Sequence, residues 1–144
     1  MVEGKSSEAA MRICSSKRSA RELASVLPFT PSRLVERGSR LNGGKAHDSR
    51  WILDSPLAES SPIEEHINYF LNLLESNSTQ LQSLPSDCEA DIWCTISSSN
   101  EFAGFSLDRA LLKRLAAKNL ELVFSVYAEP AKNRKAVAKR RKVR

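Results

Sequence analysis

Between residues 51 and 75 the spacing of apolar positions shifts from a period of two to a period of about three and a half residues. Over residues 49–53, Trp51 and Leu53 point one way and Ile52 the other, which is the alternation of a strand. From Ile63 onward, Ile67, Phe70, Leu71 and Leu74 recur at helical spacing, while Glu64, Asn68, Asn72 and Glu75 fill most of the remaining positions. This predicts an amphipathic helix whose stripe must lie on something apolar. Ser61, Pro62 and Glu64 read as a capping box with proline at the first helical position, where its missing N–H costs nothing.

The flanking segments repeat these signals. Residues 9–15 alternate weakly, as a short strand does. Ser19 and Glu22 form a second capping box before Ala20, Leu23, Ala24 and Leu27, and Pro28 ends that helix. Residues 29–45 contain Pro31, Gly38 and Asn42-Gly43-Gly44 and read as a long basic loop, a candidate binding loop through Arg33, Arg37, Arg40 and Lys45. After a polar connection at 77–85, residues 88–97 alternate Ala90, Ile92, Cys94 and Ile96 against Glu89, Asp91, Trp93 and Thr95. Ser106 reads as the N-cap of a last helix carrying Leu107, Ala110, Leu111 and Leu115, with Asp108 near its positive end and Asn119 as the residue beyond its C-cap. Residues 120–127 form the final strand.

The resulting order, β-α-β-α-β-α-β, predicts an α+β domain: a four-stranded, mostly antiparallel sheet of split β-α-β, ferredoxin-like character. Its two outer helices would share one face, and the central helix would sit at an edge or on the other face. A fully parallel sheet is disfavoured because residues 88–97 alternate too cleanly for a strand buried on both sides. The domain is expected at 9–130, between a frayed segment at 1–8 and a basic, disordered tail at 131–144.

Composition supports this plan. The chain has 144 residues, 41% hydrophobic and 27% charged, which suits an ordinary globular domain that needs no metal or disulfide for its core. The net charge of +5 comes from residues 131–144, which hold eight Lys and Arg and no acid; without them 14 basic and 17 acidic residues remain. The body is thus weakly acidic, and the tail argues for a polyanionic partner. Cys14, Cys88 and Cys94 form no C-x-x-C pair and sit near no His at ligand spacing, so neither a disulfide framework nor a zinc site is expected. The first residues hold no apolar core of a secretion signal, and no run approaches the ~20 apolar residues of a membrane span, so a cytoplasmic protein is expected.

W-I-L-D-S at 51–55, E-E-H-I at 64–67, and S-L-D-R-A-L-L-K-R-L-A before a strand ending in Tyr127 resemble a bacterial domain of unknown function, number 4279. The likeness covers about residues 9–127. It implies the fold and a bacterial cytoplasmic setting, and it brings no catalytic residues. The chain departs from the family in having Leu27-Pro28 where members usually have Leu-Gly, and its basic tail lies outside the family pattern.

Candidate chemistry is sparse. There is no G-x-S-x-G, no Walker loop, no Cys–His pair and no carboxylate pair at a strand end, so no enzyme, cofactor or metal is expected. Asn42-Gly43-Gly44-Lys45 lacks the preceding strand and following Ser or Thr of a phosphate loop and reads as a turn. His66, beside Glu65, suits a base or ligand, but with no partner at metal spacing the better reading is a partly buried histidine bonded to a neighbouring loop or strand. His47 has less support still. Trp93, Tyr127 and Ile52 fall on the sheet face opposite Ile92, Phe124 and Val126. Aromatics there suit stacking of nucleic-acid bases, yet Glu89 and Asp91 share the face and repel phosphates, so cover by the central helix is favoured.

Trp51, His66, Trp93 and Tyr127 together mark where a protein partner would be met, although Leu53, Phe70 and Leu74 also make Trp51 a packing anchor. The expected role is a non-catalytic protein-interaction module, immunity-like or regulatory. The alternative is an auxiliary, non-specific nucleic-acid binder acting through Lys132, Arg134, Lys135, Lys139, Arg140, Arg141, Lys142 and Arg144. That tail equally suits a solvated, disordered terminus, and an address signal is a third reading that depends on the host.

Overall fold

The computed structural model describes residues 5–99 and 104–128. Its elements are β1 (Lys5–Ser15), α1 (Ala20–Leu23), β2 (Arg33–Val35), β3 (Arg40–Leu41), β4 (Gly44–Lys45), β5 (Ser49–Asp54), α2 (Ile63–Ser76), a 3₁₀ turn at Leu81–Ser83, β6 (Cys88–Ser98), α3 (Arg109–Ala117) and β7 (Glu121–Ala128). Five strands make one sheet in the order β2-β5-β1-β6-β7, and β3 and β4 make a separate hairpin. The pairs are antiparallel except β6 with β7, which is parallel. The fold is α+β with a mixed sheet.

This corrects the four-stranded ferredoxin-like expectation. In that plan both helical connections cross between parallel strands. Here α1 is a single turn, too short for a crossover, and β5 returns antiparallel beside β1. Among the described strands, only β6-α3-β7 is a parallel crossover. The basic loop supplies the fifth strand: Arg33–Val35 pairs with β5 from Ile52 to Arg50. The Asn-Gly-Gly signal closes the β3–β4 hairpin, with φ of 94° at Gly43 and 135° at Gly44, values that L side chains rarely adopt.

The strand expected at 9–15 begins at Lys5 and runs against β6 from Lys5↔Ser98 to Ser15↔Cys88. Residues 5–8 are therefore not frayed: Ser7 is buried, and its N–H donates to Glu59 O at 2.9 Å. Residues 1–4 and 131–144, where the rest of the frayed segment and the tail were expected, lie outside the described residues.

One core holds the two layers together. Met11, Ile13, Trp51, Ile92, Cys94 and Ile96 form its floor; Leu23 of α1, Ile63, Ile67, Phe70, Leu71 and Leu74 of α2, and Leu111 and Leu115 of α3 cover it. All three helices lie on this face, which corrects the placement expected for the central helix. Its stripe needs the most apolar floor, and the opposite face carries Glu8, Arg12, Glu89 and Asp91.

The helix ends are only partly as expected. The Ser19–Glu22 capping box forms. At α2 the N-cap is Pro62 without a side-chain bond, and Glu64 turns away to accept from Ser106 N at 3.4 Å, so the Ser61–Glu64 box does not form. Asp108 rather than Ser106 caps α3, accepting from Leu111 N at 2.8 Å. Asn119, at φ 57°, takes the left-handed position after the α3 C-cap Lys118. Arg114 then ties α3 to α2 through Asn68, Asn72 and Glu75.

Candidate binding face

Strand alternation sends a second set of residues away from the helices. The registers place Arg33 and Val35 beside Arg50 and Ile52, these beside Arg12 and Cys14, then Asp91, Trp93 and Thr95, and finally Val123, Ser125 and Tyr127. No described helix covers this face. At its β2 end the β3–β4 hairpin folds over, and Leu41, Val35, Ile52, Ala10 and Trp93 line a concavity of about 310 Å³ with Arg12, Arg33, Arg50, Glu8 and Asp54 around it.

The charges on this face are paired. Arg12 holds Asp91 in a two-pronged grip, Nε to Oδ1 at 2.8 Å and Nη2 to Oδ2 at 2.7 Å, with both side chains mostly buried. The same guanidinium lies 4.3 Å from the centre of the Trp93 ring. Trp93 Nε1 donates to Ser125 Oγ at 3.1 Å, so the indole is clamped from two sides while staying 38% exposed. Arg33 pairs with Asp54 at 3.1 Å and Arg50 with Asp48 at 2.8 Å. Burial pushes the thiol of Cys14, on the same face, up to about 11, and that of Cys94 on the core side to about 12.

A second hollow, about 600 Å³, opens beside the first at the ends of β1 and β5, lined by Glu8, Arg33, Asp54, Ser55, Leu57, Glu59 and His66. His66 is 1% exposed, and its Nδ1 lies 2.8 Å from Ser55 Oγ. Burial lowers its pKa below the ordinary 6.5, despite nearby backbone carbonyls and Glu65. Hydrogen bonding to Glu59 raises the Glu8 carboxyl above its ordinary value, with burial and repulsion from Glu59 and Asp54 adding to it. Among the described residues, no three His, Cys, Asp or Glu are grouped to hold a metal ion.

The four candidate residues therefore separate. Trp51 is 0% exposed in the core, packed with Leu53, Phe70 and Leu74, and presents nothing to a partner. His66, in the first turns of α2, is 1% exposed at the wall of the second hollow. Trp93 and Tyr127 stand on the open face, Tyr127 at 62% exposure. Contrary to the expected cover by the central helix, that face is left uncovered by α2. Of the basic loop, Arg33 reaches the face, Arg37 donates to Ser16 O, and the eight tail cations lie outside the described residues.

Several residues of the face were not singled out from the sequence: Arg12, Val35, Leu41 and Arg50. Arg12 sits in period-two alternation with Ala10 and Cys14, so its side of the strand was legible. Its neighbours were not, because they depend on the strand order.

A family model described as a domain of unknown function (DUF4279) matches residues 5–129, and the chain belongs to that family. The match is wider than the likeness read from residues 9–127 and takes in the whole described sheet. No curated protein and no solved structure matches the chain. No helix among the described residues is long and apolar enough to cross a membrane.

Proposed function

We propose that this DUF4279 domain is a non-catalytic, cytoplasmic protein-interaction module that receives a segment of another protein on its open sheet face. The observation that carries the reading is the clamped Trp93: an exposed indole fixed by Arg12 and Ser125 at the centre of a face that no described helix covers. A pre-positioned aromatic loses little freedom on binding, which is why such residues dominate interface energetics. The arginines around it are already paired with Asp91, Asp54 and Asp48, so the face offers packing more than capture of a free anion. The concavity, at about 310 Å³, is at the small end of pockets that enclose ligands (~300–1,000 Å³), and it suits one protruding side chain better than a whole small molecule. An immunity-like or regulatory role is the form of interaction proposed.

The test is affinity capture from the organism carrying the gene with the parent domain and with Trp93→Ala. A protein retained by the parent and lost from an equally stable variant supports the reading; identical retention by both sinks it. The second reading, a polyanion binder, rests on the eight cations of residues 131–144. Deleting residues 131–144 should then abolish salt-sensitive binding to duplex DNA or RNA, and equal binding by the truncated and full chains removes it.

A further inference from the structure

The two edges of the sheet are built differently. β2 is three residues long and opens with Arg33, a short, charged edge of the kind that resists pairing. β7 is eight residues long, contains one charge and no proline, and is the terminal strand on the other side. No backbone hydrogen bond from any other described segment reaches it apart from its β6 ladder.

The exposed apolar residues gather at the same edge. Of the eight large hydrophobics that stand exposed among the described residues, Val123, Val126 and Tyr127 belong to β7, Phe105 stacks on Phe124 of β7 at 4.7 Å between ring centres, and Leu112 lies on α3, the helix that leads into β7. Leu112 is two residues from Arg114, which faces α2, and so falls on the flank of α3 turned away from α2. An edge that no other described segment pairs with, carrying apolar residues on both faces, is a template for another strand.

We infer that the partner of this edge is the β7 edge of a second copy, paired antiparallel about a two-fold axis through Phe124. Side chains that oppose one another across an antiparallel pair share a face, so an axis that relates two identical strands must place one residue opposite itself. With Phe124 on the axis, Leu122 meets Val126 of the second copy on the helix side, beside the two Phe124–Phe105 stacks. On the open side Val123 meets Ser125, and Glu121 meets Tyr127, whose hydroxyl can donate to that carboxylate. The pair on the helix side is thus apolar and the strand's one charge has a donor, while Val123 faces a Ser125 whose hydroxyl is already engaged by Trp93 Nε1. The dimer carries a ten-stranded sheet with both sets of helices on one side. It leaves the concavity at the β2 end free, so it stands or falls independently of the proposed partner site.

Sedimentation equilibrium of the full chain should give twice the 16.0 kDa chain mass, falling to one at low concentration. Tyr127 is exposed, so substituting it leaves the fold intact while testing the register. Tyr127→Lys sets an ammonium opposite Glu121 and should keep the dimer; Tyr127→Glu sets two like-charged pairs face to face and should weaken it by about tenfold or more. Leu34→Glu, on the opposite edge, should change nothing. A parent that is monomeric at every concentration, equal weakening by the lysine and glutamate variants, or loss of the dimer on Leu34→Glu would each overturn the inference.

Discussion

The Arg12 guanidinium lies 4.3 Å from the centre of the Trp93 ring while its Nε and Nη2 grip Asp91, at 2.8 and 2.7 Å. One side chain thus neutralises the carboxylate on the open face and fixes the orientation of the exposed indole. Arg12 and Trp93 sit on adjacent strands one diagonal step apart, since Arg12 opposes Asp91 and Ala10 opposes Trp93.

Removing that side chain tests the link between fold and face. Arg12→Ala leaves Asp91 mostly buried without its counter-ion and should cost about 2 kcal/mol, below the 3–5 kcal/mol of a fully buried pair because both groups keep some solvent contact. Arg12→Lys keeps the charge but loses the two-pronged geometry and the flat stack, and should fall between the parent and the alanine variant. Urea unfolding measures both, and a lysine variant as stable as the parent would show that the planar contact contributes nothing.

The two tryptophans should respond in opposite ways. Trp51→Ala empties a fully buried site among Leu53, Phe70 and Leu74 and should cost about 3–5 kcal/mol, a large part of the ~5–15 kcal/mol stability of a typical domain. Trp93→Ala, partly exposed, should cost about 1 kcal/mol or less beyond the loss of its contact with Arg12. Thermal melts of the two variants check the contrast, and near-equal shifts would contradict it.

Much of the fold is legible in the alternation of single strands. Met11, Ile13, Trp51, Ile92, Cys94 and Ile96 are core residues because a half-buried strand must alternate. Trp93, Tyr127 and Ile52 share a face for the same reason. What single-strand patterning does not carry is strand order. Arg33–Val35 is three residues in a basic, proline-containing stretch, too short to show a period, and it becomes a strand only because the β5 edge is there to pair with. Without that strand and the hairpin beside it, the concavity at Leu41, Val35 and Ile52 cannot be seen.

Helix caps show the same limit. The Ser61–Glu64 signal has the right residues, but Glu64 reaches instead to Ser106 N, a contact 42 positions away that local sequence cannot announce. Ser61→Ala should therefore be nearly neutral, whereas Asp108→Ala removes the bond to Leu111 N and should cost about 1 kcal/mol. Chemical denaturation of the two variants decides, and a larger loss at Ser61 would restore the capping box.

His66 makes stability depend on pH in a direction that follows from its burial. Its folded pKa lies below 6.5, so below that value the unfolded chain binds more protons than the fold. The contribution is complete above about pH 6.5 and is lost as the pH falls through that value toward the folded pKa. The urea midpoint should drop between about pH 7.5 and about pH 5.5, and His66→Gln should remove part of that drop. A variant profile parallel to the parent's would contradict the placement of a neutral histidine beside Ser55.

The most direct measurement is site-specific photo-crosslinking from two positions on the open face and one on the helix side, carried out in the organism that holds the gene. With a photoreactive residue at Trp93 or at Thr95, which lines the concavity beside it, one protein should be captured from both positions, and Leu112 on α3 should not capture it. Capture of that protein from Leu112 but from neither Trp93 nor Thr95 would show that the open sheet face is not where this domain meets its partner.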